Sequence, residues 1–306
     1  MGMVNFKYGL ASQGVPLYGS GQDISGSTYF VDNNSGSDSN DGATWESAFK
    51  TLAKAVTISN LDIARGSDRW ARRNTIYYCA DTETADLVAF PNKCDVIGCG
   101  SYDANSKPGI TGNHAPVNTG NYGTRFFNIW FKAPAVASPI ITLASTSSGI
   151  QFHGCTFDGS AGTVTLGISQ TASPFMKVID CDFFGAFATG YIAQGTGKTD
   201  GTVIEKCRMS GSSGYGIKNV TGTTSSYPSY IKDNIIAVTT TGICLDDDAN
   251  SGAGIWHTIG NRCCNGATLT NYAGRTGICD INEALAIDNI FTGADISVRV
   301  PLLVVA

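Results

Sequence analysis

The sequence predicts an all-β fold: one single-stranded parallel β-helix with a helix capping its N-terminal end. Three observations predict it. One short phrase recurs six times between residues 150 and 291: IQFHGCTF, KVIDCDFF, TVIEKCRM, YIKDNII, HTIGNRC and LAIDNIF. Its fixed points, Cys155, Cys181, Cys207, Asn234, Asn261 and Asn289, are 26, 26, 27, 27 and 28 residues apart. A period held over six copies marks a repeat architecture. Within each copy, apolar residues alternate in twos between Gly, Asn and Ser turns, which is the pattern of strands rather than helices. Finally, glycine is abundant at 37 residues and charged residues make up only 15% of the chain, as suits a turn-rich β protein.

In such a solenoid each coil stacks on the last at strand spacing, about 4.8 Å, so equivalent side chains sit on top of one another. Two residues beyond each fixed point lie Phe157, Phe183, Met209, Ile236, Cys263 and Phe291, which should fill the interior. The stacked asparagines should form an amide ladder satisfying buried turn groups. The stacked cysteines should pack as small apolar residues.

Residues 1–27 are polar and Gly-rich and read as an extended docking arm, or as a disordered terminus. They contain no apolar run of the secretory kind, so folding inside a cell is expected, with all ten cysteines as free thiols. Cys94 and Cys99 lack a second pair at zinc spacing, and Cys263 and Cys264 are adjacent, so no metal centre is expected. The β-helix itself is expected over 28–297, opening with the strand TYFVD at 28–32. The loop NNSGSDSNDG follows, where Asp32, Asn34, Asp38, Asn40 and Asp41 gather oxygens. Such residues make turns; a Ca²⁺ site is the alternative, although the order is not that of an EF-hand.

A helix is expected over 44–58, with Thr44 as N-cap and Trp45, Phe49, Leu52 and Val56 as one apolar stripe. It should cover the open first coil. NTIYYCA and KCDVIGCG are further strands, and residues 101–136, with Phe126, Phe127, Trp130 and Phe131, read as a long insertion, either a functional loop or a flap packed on the wall. Second strands lie between the phrases, so each coil has two or three. Residues 298–306 form an apolar segment that should cover the last coil or pack against another subunit, consistent with a homotrimer.

Candidate chemistry is sparse. Asp246, Asp247 and Asp248, with Asp280 further on, could pair carboxylates for inverting glycoside hydrolysis; the bland reading is an acidic turn. His114, His153 and His257 are scattered, and His153 and His257 read as wall residues. A lyase would need Ca²⁺ and a base, but Lys206, Arg208 and Arg262 should point outward as solvated charges. We assign no catalytic, cofactor or metal residue, and no cofactor. The net charge of −5 without a basic stripe disfavours nucleic acid, and no apolar run is long enough for a membrane.

The stretch TYFVDNNSGSDSNDGATWESAFKTLAKAV resembles the entry segment of pectate-lyase-like, right-handed parallel β-helix proteins: a strand, a GSDSNDG loop and a capping helix beginning W-x-x-A-F-x-T-L. That resemblance covers roughly residues 28 to 58 and implies a right-handed coil. The wider layout, GVPLYGSG, the entry motif, NTIYYCA, KCDVIGCG and a late AIDNIFTGAD, resembles a group of tailed-bacteriophage virion structural proteins. The resemblance implies a trimeric capsid decoration, head spike or fibre subunit, made in the host cytoplasm, with phage capsid or tail proteins as partners. The alternative is a tailspike-type hydrolase or lyase acting on host surface glycans. The acidic calcium quartet and catalytic arginine of pectate lyases have no counterpart here.

Overall fold

The computed structural model describes residues 10–12, 15–18, 26–65, 72–100, 107–117, 121–145, 147–195, 197–220, 227–239, 242–246, 256–264 and 268–271. They form a right-handed parallel β-solenoid with one helix near its N-terminal end. The first wall is a nine-stranded parallel sheet whose neighbours follow chain order: Thr28–Asp32, Asn74–Cys79, Cys94–Gly98, Arg125–Phe127, Gln151–His153, Lys177–Ile179, Val203–Glu205, Ser229–Lys232 and Trp256–Ile259. The second and third walls are joined through two long strands, Asp182–Gln194 and Arg208–Asn219, and together hold twelve strands.

Register follows the phrases. Thr156, Asp182, Arg208, Ile235 and Arg262 pair in succession, which stacks Phe157, Phe183, Met209 and Ile236 inside, all fully buried. Phe131, Phe157 and Phe183 form a near-parallel column, with ring centroids 5.5 and 4.5 Å apart. A second pair from the first wall, Phe126 and Phe152, stacks at 5.4 Å and meets the column edge-on. Offset and edge-to-face ring pairs of this kind add to the burial of their area.

The turn between the first and second walls is one residue in the left-handed region, repeated after the last six strands of the first wall: Asn128, Gly154, Asp180, Lys206, Asp233 and Gly260, with φ from 54° to 65°. Its N–H donates to the next coil, as in Asn128 to the His153 carbonyl and Asp180 to the Glu205 carbonyl. Gly, Asn and Asp tolerate this backbone best, which is why those types dominate the position.

Two expectations are corrected. Residues 107–117 and 121–136 are not an insertion but coil: Arg125–Phe127 pairs with strands on both sides of it, and Trp130–Lys132 does the same in the second wall. The phrase RFFNIWFK is another copy in which Ile129 takes the place of Cys or Asn, and that hid it. The helix expected over 44–58 spans Leu52–Arg65. Thr51, not Thr44, is its N-cap: the Thr51 hydroxyl accepts the Lys54 N–H at 3.2 Å. Phe49 instead forms a β-bridge with Val31, and Trp45 is exposed and rests on Phe30. The apolar spacing from Trp45 to Val56 mimicked a helix although its first half is a loop.

The helix does cap the solenoid. Leu52, Ala55 and Val56 are buried in the common core with Val31 and Ile76 of the first strands, and Ile63 is buried as well. Its N-terminus is held by two carboxylates. Asp38 accepts the Lys50 and Thr51 N–H groups at 3.0 and 2.9 Å, and buried Glu83 accepts the Leu52 N–H at 3.2 Å. Burial raises the Glu83 carboxyl above the ordinary glutamate value, against the pull of the Leu52 N–H. A raised folded value contributes stability below the unfolded value that is lost as pH climbs through the folded one. Glu83→Gln should therefore melt progressively higher than the parent as pH is raised from 4 to 8. A melting-temperature difference that shrinks over that range would contradict the assignment.

Residues 10–12 and 15–18 pair as a short antiparallel hairpin, in a stretch expected to be extended. Residues 1–9, 13–14 and 19–25 of the arm, and the segment 298–306, lie outside the described residues.

Candidate functional site

The Cys and Asn of the repeated phrase do one job with two chemistries. Cys155, Cys181 and Cys207 donate their thiols to the carbonyls of Phe126, Phe152 and Val178 at 3.5, 3.5 and 3.4 Å. Asn234 and Asn261 donate their amides to the next carbonyls in that column, Ile204 and Ile231, at 3.1 and 2.9 Å. The asparagines also form the expected ladder: Asn234 Nδ2 to Asn261 Oδ1 at 2.8 Å, with Asn234 Oδ1 accepting the Cys207 N–H at 2.9 Å. Each donor adds a bond to a buried carbonyl of the first wall, and each buried thiol or amide is itself satisfied by it.

Burial pushes the Cys155 and Cys181 thiols well above the usual cysteine range and Cys94 up to about 12. The thiolate is the reactive form. In native protein, Cys94, Cys155 and Cys181 should therefore resist iodoacetamide at pH 8 and become fully labelled in guanidinium, read by mass spectrometry. Native labelling of Cys155 would refute its placement. The expectation of ten free thiols fails at Cys244, which is disulfide-bonded; six others are free. Cys244 sits on the third wall, in Ile243–Asp246, away from the stacked column.

A second amide column closes the corner between the third wall and the first. Gln170, Gln194 and Asn219 pair in register and are buried. Gln194 Nε2 donates to Gln170 Oε1 at 3.3 Å and to the Ser229 hydroxyl at 3.2 Å, while its Oε1 accepts the Trp256 indole N–H at 2.6 Å. Their spacing of 24 and 25 residues drifts from the main period, so the sequence reading passed over them.

The candidate acids and bases are not assembled into a reaction centre among the described residues. Asp246 is buried, and its carboxylate is held by Lys218 Nζ at 3.0 Å, with that ammonium also 5.3 Å from the Tyr215 ring centre. Asp247, Asp248 and Asp280 lie outside the described residues. Lys206 pairs with Glu205 at 3.4 Å, Arg208 pairs with Asp182 at 3.0 Å, and Arg262 is exposed, so all three are wall charges as expected. His153 stacks on Phe127 at 4.9 Å and His257 on Tyr230 at 5.1 Å, both on the outer face of the first wall. His114 is fully buried; its Nδ1 accepts the Leu87 N–H at 3.1 Å, and burial lowers it to about 4, so it is neutral.

In the 32–41 loop the carboxylates turn to separate donors. Asp32 accepts the Asn34 and Ser35 N–H groups, Asp38 binds the helix start, and Asp41 accepts the Ala43 N–H and the Ser47 hydroxyl. These are turn and cap bonds. Among the described residues no three His, Cys, Asp or Glu side chains converge as metal ligands, and no helix is long and apolar enough to cross a membrane.

One surface feature has no counterpart in the sequence reading. A second left-handed column precedes five consecutive strands of the first wall, from Cys94–Gly98 to Val203–Glu205: Lys93, Gly123, Gly149, Phe175 and Gly201. Phe175 carries φ of 60° where the coils on either side have glycine, and its ring is 50% exposed. It leans over Gly201, where a Cβ would meet a ring carbon at 2.7 Å. Tyr122 and Tyr227, 54% and 62% exposed, stand two coils to either side, one position before the Phe175 column. The signal was present in the sequence: Phe175 stands 26 residues from both Gly149 and Gly201 and breaks a glycine column.

Compared with protein-family models and with curated proteins, the chain matches none.

Proposed function

We propose that this chain is a non-enzymatic structural subunit of a tailed-bacteriophage virion: a capsid decoration, head spike or fibre, assembled as a homotrimer and docked through its N-terminal arm. The observation that carries this reading is the commitment of polar side chains to the solenoid. The two amide columns and the thiols are spent on backbone acceptors and on one another. Asp246, the candidate acid within the described residues, is neutralised by Lys218. What remains is a stiff rod, nine strands tall along its first wall and so about 40 Å long. A rod whose polar interior is structural suits a part that projects or spaces rather than one that turns over substrate. The resemblance of the wider sequence layout to tailed-bacteriophage virion structural proteins supports the same reading.

The test has two arms. Native mass spectrometry of the purified chain should give three times its 32.0 kDa mass, and quantitative proteomics of intact particles should find it at a copy number divisible by three. A monomer, or absence from the particle, refutes the proposal. The second reading, a glycan-cleaving tailspike, keeps one specific support: Asp246 lies beside two further aspartates, Asp247 and Asp248. It predicts release of reducing ends from host surface polysaccharide that is lost in Asp247→Ala. The structural reading predicts no release by either protein.

A further inference from the structure

We propose that Cys79 and Cys99 form a site of reversible oxidation, at which a disulfide joins one coil of the solenoid to the next. The proposal stands independently of where the chain resides and of what it docks to.

In the sequence Cys99 lies closest to Cys94, but the fold separates those two. Strand alternation turns Cys94 into the core and Cys99 to the outer face of the first wall. Cys79 ends the preceding strand and faces outward as well. The two strands are parallel and in register, with Tyr78 opposite Gly98, so Cys79 and Cys99 are the next facing pair. Facing residues on neighbouring strands have Cα atoms about 4.8 Å apart, inside the range of roughly 4.4–6.8 Å that a disulfide spans. The backbone there is pinned. The Cys99 N–H donates to the Tyr78 carbonyl at 2.8 Å. The Asn128 side-chain amide donates to the Gly98 and Gly100 carbonyls, one on each side of Cys99, at 3.1 and 3.2 Å. The sulfurs can therefore meet by side-chain rotation, with the strands where they are.

Both thiols are free and partly exposed, so a small oxidant reaches them. Cys155, Cys181 and Cys207 also face one another coil to coil, but they are buried and their thiols are held by carbonyls. Burial raises both outer thiols above the usual cysteine value. Asp32 and Asp81 add to this at Cys79, and the nearby Cys79 adds to it at Cys99. The thiolate is the reactive form, so oxidation of the pair should quicken as pH rises.

The oxidant class is a low-molecular-weight disulfide such as oxidised glutathione. One protein thiolate attacks it, breaking its S–S bond and releasing one glutathione thiolate. The second protein thiolate then attacks the mixed disulfide and releases the other. The two cysteines give up two electrons and two protons, and one oxidised glutathione becomes two reduced ones. The product closes residues 79–99, one complete coil, into a covalent ring. That coil carries Glu83, which holds the start of the capping helix, so the bond would keep the capped end from unwinding.

The full chain would be incubated with oxidised glutathione at pH 8, alkylated, digested without reduction and read by mass spectrometry. A peptide pair joined through Cys79 and Cys99 should appear, with fragment ions excluding Cys94, and should vanish on treatment with dithiothreitol. The oxidised parent should melt about 3 °C or more above the untreated protein. That shift should be absent from Cys79→Ser and from Cys99→Ser, each compared with and without the oxidant, and either variant serves if the other does not fold. Absence of the linked pair, a bond to Cys94 in its place, or a covalent dimer through either residue overturns the proposal. So does an oxidised parent that melts no higher than the untreated one, or a shift that persists in both serine variants.

Discussion

Phe157→Ala is expected to destabilise the protein by about 3–5 kcal/mol, the cost of emptying a buried aromatic site. Phe157 is fully buried at the centre of the column, between Phe131 and Phe183, with Phe152 set edge-on against it. The column cannot close over the gap, because each ring is fixed to its own strand and the strands are held at hydrogen-bonding distance. Neighbouring coils touch only one another, so a weak coil also weakens the coupling between the coils on either side. Guanidinium unfolding followed by far-ultraviolet circular dichroism should show the loss, together with a broader transition than the parent's. Phe157→Leu, which keeps most of the volume, should cost far less. Equal effects of the two substitutions would mean that the column is not close-packed.

Asn234→Ala is expected to cost about 1–3 kcal/mol, because it strands the buried Cys207 N–H and removes the second donor to the Ile204 carbonyl. The Ile204 carbonyl loses its amide donor and the Cys207 N–H loses its acceptor. The neighbouring coil supplies an unusual control. Cys207 donates its thiol to the equivalent carbonyl one coil back, that of Val178. Asn234→Cys should therefore recover part of the stability by supplying a donor for Ile204, while leaving the Cys207 N–H without its partner. Chemical denaturation of the three proteins should rank parent, Asn234→Cys and Asn234→Ala in that order. If Asn234→Cys is no better than Asn234→Ala, thiol and amide are not interchangeable here.

The residues legible in the sequence are those whose role repeats without drift. The Cys155, Cys181, Cys207, Asn234, Asn261 column could be read because the chain returns to it after 26 or 27 residues, and because strand alternation fixes which neighbours point inward. Three things escaped for physical reasons. Ile129 fills the same position with no polar signature, so a whole coil looked like an insertion. The helix start was misplaced because Trp45 and Phe49 fall at helical spacing while serving a loop and a bridge; the decisive capping group, Asp38, lies 13 residues before Thr51 and reaches it only through the fold. Gln170 and Gln194 were overlooked because the third wall does not keep the period of the first. Of the surface, the outward charges Lys206 and Arg208 followed from alternation alone. The strain at Phe175 became visible only once the coils were aligned and glycine was seen on either side of it.

The single-residue bend after the last six strands of the first wall has a consequence for how such a chain can change over generations. From Phe152, Val178, Ile204, Ile231 and Thr258 to the following Cys or Asn is always three residues. From Ile168, Ile192, Ile217 and Leu245 on the third wall back to the first, the distance wanders between 10 and 14. One residue added inside the first bend would turn a strand inside out; one added at the other corners only lengthens a loop. Length variation is thus confined to two edges of the rod, and the edge bearing Phe175 is one of them. Such a scaffold can trial new surface there indefinitely while its winding, and hence its heritable fold, stays untouched.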